Sequence, residues 1–248
     1  LRVFTFHGLS LSLLGRTLGQ NQTARKDQEN SFQQLLKDAC ALLEQGDETD
    51  AEDDDSQMRR LQVLGNLEYI FVDEYQDVAE DEYRLIKLVA GLGQSEDAAR
   101  SVQINLCAIG DDDQNIYEFR NTSTRYILDF EIEYRAKRLL LVENYRSTES
   151  IIAAANCLIQ HNQTRCKRTV EEQVHINQER HGLGGSPVKA LQFTSMSTQA
   201  AWVCEQIQAW IQAGIKVNQI AVLARQWEQL GPIRALLEQH TISTYALK

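Results

Sequence analysis

The apolar run Leu67-Glu68-Tyr69-Ile70-Phe71-Val72, closed by Asp73-Glu74-Tyr75-Gln76-Asp77, constrains this chain more than any other stretch. A short run rich in β-branched and aromatic residues reads as a buried strand of a parallel sheet. It delivers two adjacent carboxylates at its C-terminal end, where ligands bind in open α/β sheets. A strand ending in Asp-Glu can set a divalent-metal ligand beside a general base.

The flanking pattern extends this to a fold class. Strands are predicted at Val3–Phe6, Tyr69–Val72, Ile104–Ile109, Arg138–Val142, Val188–Phe193, Ile220–Ala224 and Ser243–Leu247. Helical periodicity lies between them, at about Leu9–Leu18, Phe32–Leu43, Glu80–Leu92, Ser123–Phe130, Ser197–Ala213 and Gln229–His240. A further helix follows Ser147, read as its N-cap, and His7-Gly8 reads as a strand-to-helix turn. This alternation predicts an α/β fold with parallel sheets flanked by helices. A break between two α/β units is expected near residues 131–137. The second predicted strand of the first unit also ends in carboxylates, Gly110-Asp111-Asp112-Asp113-Gln114, which implies one crevice shared with Asp73-Glu74.

The net charge of −10 opposes nucleic-acid binding at first sight. Eight carboxylates and no basic residue lie between Glu44 and Asp55, however, and such a run reads as a solvated loop. Set apart, it leaves a nearly neutral chain that can carry a local cationic groove. The five cysteines are irregularly spaced without a CxxC pair, as expected of reduced core thiols in a cytosolic protein. Cys157, His161 and Cys166 lack a fourth ligand for a metal site, so packing or exposure is the favoured reading. No apolar run reaches membrane-spanning length. The first residues begin directly on a strand-like alternation without Met, so the chain is expected to be a segment of something longer.

Hydrolysis of a phosphoanhydride needs a metal ligand, a base for water, a polar sensor of the terminal phosphate and a cation for developing charge. Asp73, Glu74, Gln114 and Arg146 supply those four chemical types. At this point the sequence resembles a family. LEYIFVDEYQD (67–77) resembles motif II of the UvrD/Rep/PcrA-type superfamily 1 DNA helicases, and GDDDQNIYEFR (110–120) resembles their motif III. LVENYRS (141–147) is similar to motif IV, and Thr5-Phe6-His7-Gly8 to the short DNA-contacting motif after Ia.

The resemblance implies parts of two RecA-like P-loop NTPase lobes. Residues 1–130 would be the C-terminal part of lobe 1A, with a reduced 1B-like insertion at about 20–65, and 138–248 the N-terminal part of lobe 2A. It implies that Asp73 binds Mg²⁺, Glu74 activates water and Gln114 senses the γ-phosphate of ATP. Tyr145 would stack on adenine, Arg146 would act as an arginine finger, and Arg120 would join the phosphate-linked network. Thr5, His7, Tyr117 and Phe119 would contact DNA, Phe119 standing where the family usually has a base-stacking Trp. The implied cofactors are ATP and Mg²⁺. The implied partners are single-stranded and duplex DNA with repair or replication proteins, no membrane, in a cytoplasmic, nucleoid-associated setting.

Two departures qualify the match. Glu118 and Asn121 replace glycines around the motif III aromatic, which puts negative charge near the implied DNA path. The phosphate-binding loop is missing, since it needs a Gly-rich turn and a Lys and the chain has no Gly-Lys dipeptide. The isolated chain is therefore expected to lack ATPase activity, with motif I expected upstream and motifs V and VI downstream. A P-loop-less helicase-like module that binds DNA or protein without catalysis is the alternative, and a segment of a nuclease-coupled RecB-like enzyme is a third reading.

Overall fold

The computed structural model describes residues 1–15, 25–45, 63–65, 67–91, 104–116, 122–177 and 185–245, with backbone alone at 25–30 and 45. In chain order the principal elements are α1 (Phe6–Leu13), α2 (Arg25–Gln45), β1 (Tyr69–Val72), α3 (Glu80–Val89), β2 (Asn105–Ala108), α4 (Arg125–Glu133), β3 (Glu143–Asn144), α5 (Glu149–Ile159), β4 (His175–Ile176), α6 (Met196–Gln212) and α7 (Trp227–Gln239). The chain divides into two compact units, Leu1–Gly185 and Ser186–Lys248.

In the first unit β1 and β2 pair in parallel, with Tyr69 opposite Asn105 and Val72 opposite Ala108. A parallel pair needs a crossover, and α3 lies within it. Glu80, Asp81 and Glu82 occupy the first turn of α3 and Lys87 its last, which matches the helix dipole at both ends. Leu85, Leu88 and Val89 of α3 enter one core with Leu13 of α1 and Leu36, Ala39 and Leu43 of α2. Ile86 enters a second core with Val72, Tyr75 and Val78. The helix thus joins both cores and fixes the C-terminal end of β1. Phe130 of α4 closes the second core, its ring edge-on to Tyr75 at 5.2 Å between centroids. β3 and β4 form another short parallel pair, Glu143 opposite His175 and Asn144 opposite Ile176.

The second unit packs α6 on α7 through Ala200, Cys204, Ile207, Ile233 and Leu237. Ser195 caps α6, its hydroxyl accepting the Thr198 N–H at 3.2 Å. No helix among the described residues is long and apolar enough to cross a membrane.

The mixed α/β class and the parallel sheets agree with the sequence expectation, while several boundaries differ. Val3–Phe6 forms no strand. Instead Thr5 caps a helix that starts at Phe6, its Oγ1 accepting the Gly8 N–H at 3.0 Å, so His7 and Gly8 are helical rather than a turn. A local capping bond needs no partner strand, and among the described residues no strand lies beside this stretch. The N-cap of α5 is Thr148, not Ser147. Ser147 is held in the preceding turn, where its N–H donates to Asn144 Oδ1 at 2.7 Å. The strand expected at Arg138–Val142 is instead paired directly after it, at Glu143–Asn144, with the Val142 carbonyl accepting the His175 N–H. The described parts of the stretches expected as strands in the second unit make no ladder. Extended chain counts as a strand only where a neighbour accepts its hydrogen bonds, and Leu223 stays 92% exposed.

Candidate nucleotide and DNA site

The ladder between β1 and β2 continues past both strands. Ile109 donates its N–H to Val72 O at 2.8 Å, and Tyr75 returns its N–H to Ile109 O at 2.9 Å. This lays Asp73-Glu74 beside the loop that begins at Gly110. Gln76, 1% exposed, stitches the two loops together. Its Nε2 donates to Glu74 Oε2 at 2.7 Å, and its Oε1 accepts the Asp111 N–H at 3.0 Å. Asn115 Nδ2 adds a bond of 2.5 Å to the Gln76 carbonyl. The absence of a side chain at residue 110 is required, because a Cβ there would lie 2.6 Å from Gln76 Oε1 and 3.1 Å from Tyr75 N.

Glu74 adopts φ 52°, ψ 41°, a left-handed conformation rarely taken by a residue with a Cβ. Its carboxylate is exposed at the loop surface, next to an exposed Asp73. Asp73 uses Oδ1 to accept the Glu74 N–H at 3.0 Å, which ties its carboxylate to the backbone of the turn, while Gln76 Nε2 holds the Glu74 carboxylate. An exposed carboxylate with an oxygen to spare suits Mg²⁺, which favours one or two protein carboxylates together with water and substrate phosphates. The Asp111–Asp113 cluster, though its carboxylates lie within 4.8 Å of one another, suits a metal less well.

Those three carboxylates are already committed to cations and an N–H. Arg165 clasps Asp113 with Nε to Oδ1 at 2.7 Å and Nη2 to Oδ2 at 2.5 Å. Lys167 Nζ sits 2.5 Å from Asp111 Oδ1 and 3.1 Å from Asp113 Oδ2. Asp112 Oδ2 accepts the Cys166 N–H at 2.8 Å. Burial alone works against ionising Asp113, but its hydrogen bonds from Arg165 and Lys167 prevail and hold its carboxyl below the ordinary value of 3.8. Burial likewise opposes the charge on Lys167, and the two aspartates outweigh it and raise its pKa. Gln114 is exposed and donates Nε2 to Asp111 Oδ2 at 2.9 Å.

The other expected site residues are placed as follows. Asn144 forms a turn in which its Oδ1 accepts the N–H groups of Arg146 at 2.9 Å and Ser147 at 2.7 Å. Tyr145 stands out from this turn, 62% exposed, its hydroxyl donating to Glu143 Oε2 at 2.6 Å. Arg146 is exposed, and its guanidinium makes no ion pair among the described residues. No described hydrogen bond joins Tyr145 or Arg146 to Glu74 or Gln114. Thr5 serves as a helix cap, and His7 stacks on Phe32 with ring centroids 5.2 Å apart. Tyr117, Phe119 and Arg120 lie outside the described residues. Cys157, His161 and Cys166 form no metal-ligand cluster among the described residues.

Sequence reading missed Gln76, Asn115, Arg165 and Lys167. Gln76 stood inside the quoted 67–77 motif without a role, because its role lies in burial and in the two loops it joins. The run Arg165-Cys166-Lys167-Arg168 did give one, as a concentration of basic charge in an acidic chain.

The chain is similar to known DNA helicases. The UvrD/REP helicase N-terminal domain matches residues 17–135, and the UvrD-like helicase C-terminal domain matches 139–248. An ATP-dependent DNA helicase PcrA of Staphylococcus epidermidis is 34% identical over 159 residues, 64% of this chain and 19% of the relative. DNA helicase II of Haemophilus influenzae is 33% identical over 162 residues, 65% of this chain and 20% of the relative. A PcrA of Staphylococcus aureus is 42% identical over 99 residues, 40% of this chain and 12% of the relative. The chain thus spans about a fifth of the length of the first two relatives. With both halves matched in order and two carboxylate-bearing loops joined at the ends of parallel strands, the chain belongs to the UvrD/Rep/PcrA-like family of superfamily 1 DNA helicases.

Proposed function

We propose that this chain is a segment of an ATP-dependent DNA helicase that couples ATP hydrolysis to 3′→5′ translocation on single-stranded DNA and to duplex unwinding. The observation that carries the reading is the pair of loops, Asp73-Glu74 and Asp111–Gln114, joined through Gln76 at the C-terminal ends of β1 and β2. Residues 1–130 would be the C-terminal part of lobe 1A, with a reduced 1B-like insertion at about 20–65, and 138–248 the N-terminal part of lobe 2A. The junction of the two matched family models, between residues 135 and 139, supports this division.

In this reading Asp73 is the carboxylate that would hold Mg²⁺, which when bound offsets the negative charge of the ATP phosphates. Glu74 accepts the proton of the attacking water. The hydrogen bond from Gln76 Nε2 to Glu74 Oε2 leaves the other carboxylate oxygen for that work. Gln114 senses the γ-phosphate, Arg146 neutralises charge that develops there, and Tyr145 offers its face to the adenine. Arg120 belongs to the same phosphate-linked network. Single-stranded DNA runs over Tyr117 and Phe119, with Thr5 and His7 touching its backbone. Stacking on such aromatics contributes roughly 1–3 kcal/mol per base irrespective of sequence, as a motor that steps along any strand needs. A cytoplasmic, nucleoid-associated setting with repair or replication proteins as partners follows from the same reading.

The test is unwinding polarity in the full-length gene product. ATP-driven strand separation is expected on duplexes with a 3′ single-stranded tail and not on those with a 5′ tail. Unwinding only from the 5′ tail would overturn the direction. DNA binding with no ATP turnover would favour a P-loop-less, non-catalytic binding module, a reading motivated by the absence of any Gly-Lys dipeptide.

A further inference from the structure

We propose that Lys167, supported by Arg165, is a positioning residue that sets the side-chain amide of Gln114 through Asp111. The proposal rests on the reading of Gln114 as the phosphate sensor and adds the parts that hold it in place. Gln114 ends a short 3-10 helix, Asp112–Gln114, with its own side chain exposed. What fixes it is a relay. Lys167 Nζ holds Asp111 Oδ1 at 2.5 Å, and the other oxygen of the same carboxylate accepts Gln114 Nε2 at 2.9 Å.

The relay is braced on both sides. The Asp111 backbone N–H donates to Gln76 Oε1 at 3.0 Å, which ties the same residue to the Glu74 loop. Lys167 also reaches Asp113 at 3.1 Å, and Arg165 clasps that carboxylate with two bonds. The cations are buried, with side-chain exposures of 8% for Arg165 and 9% for Lys167. Water therefore screens them poorly, and a buried two-pronged ion pair holds its geometry far better than a surface one. A merely solvated basic run would not place two of its cations in one carboxylate cluster.

The position of this relay in the chain gives it a consequence. Arg165 and Lys167 fall in the segment matched by the C-terminal family domain, and Asp111, Asp113 and Gln114 in the one matched by the N-terminal domain. Yet all of them lie within one compact unit, Leu1–Gly185. The sensor loop of one matched domain is thus gripped by cations of the other.

Two readouts test this together. In the 248-residue chain, selectively labelled glutamine resolves the Gln114 side-chain amide by NMR. Lys167→Met is expected to shift that signal towards the position of an amide with no protein acceptor, and Lys167→Arg is expected to restore it. In the full-length gene product, Lys167→Met is expected to lower kcat for ATP hydrolysis by roughly tenfold with KM changed less than about twofold. Combined with Gln114→Ala, it is expected to cost no more than Gln114→Ala alone. An unmoved Gln114 signal in a folded Lys167→Met chain overturns the positioning role, whatever the kinetics show. A fully additive double variant overturns it as well. A moved signal with wild-type turnover in both Lys167→Met and Gln114→Ala supports the positioning and overturns instead the sensing role given to Gln114.

Discussion

Glu74 is held at φ 52° and ψ 41°, a conformation that costs a residue with a Cβ of order 1–3 kcal/mol. Three contacts hold it there: Asp73 Oδ1 on its N–H, Tyr75 N–H on Ile109 O, and Gln76 Nε2 on its carboxylate. The left-handed turn ends β1 abruptly and leaves the Glu74 side chain exposed beside Asp73. The turn can pack against the next loop only because residue 110 has no side chain. Gly110→Ala would force a Cβ to within 2.6 Å of Gln76 Oε1 and 3.1 Å of the Tyr75 nitrogen. The second of these is backbone and cannot swing aside. The variant is expected to lose about 1–3 kcal/mol of stability by chemical denaturation, as overpacked sites do. It should also weaken the Gln76 bridge between the loops. A variant as stable as wild type would show that the loops are not so closely joined.

At the scale of elements, the ion-pair cluster is what binds the 165–167 segment to the loop after β2. Asp113 sits below its ordinary pKa of 3.8 because the bonds from Arg165 and Lys167 outweigh its burial. A depressed carboxylate contributes stability above its unfolded value and loses it as pH falls through the folded one. Wild-type stability should therefore fall on acidification below about pH 4, and Asp113→Asn should flatten that limb of the curve. At neutral pH the same substitution leaves Arg165 and Lys167 short of a buried partner and is expected to cost about 3–5 kcal/mol, measured by urea unfolding. An unchanged acid limb would place the critical carboxylate elsewhere.

The elements differ in how far they could be read in advance. β1 and β2 were legible because each is an apolar run with a carboxylate cluster at its end. α3 was legible from the spacing of Leu85, Ile86, Leu88 and Val89. The stretches around Leu191 and Leu223 carry strand-like composition, but composition cannot say whether a neighbour is there to complete a ladder, and among the described residues none is. Thr5 and His7 illustrate the reverse case, in which a capping hydroxyl overrides strand-like alternation. The site was legible where chemistry is written in adjacent residues, as at Asp73-Glu74. It was not legible in the bonds from Arg165 to Asp113 and from Lys167 to Asp111, which join residues 52 and 56 positions apart. Only the fold puts those charges together.

For the molecule as a whole, the net charge of −10 is compatible with the proposed DNA path, since eight of its carboxylates lie in the run from Glu44 to Asp55 rather than in the loops after β1 and β2. In the proposed function those loops would form the hydrolytic half of an ATP site, with Glu74 as the base and Asp73 beside it. The most direct test is Glu74→Gln in the full-length gene product, with ATP binding and DNA-stimulated ATP hydrolysis measured on the same preparation. Glutamine keeps the size of the side chain and the partner for Gln76 but cannot take a proton. The expected result is ATP affinity within about twofold of wild type and turnover reduced by at least roughly a hundredfold. Turnover at the wild-type rate would rule out Glu74 as the base.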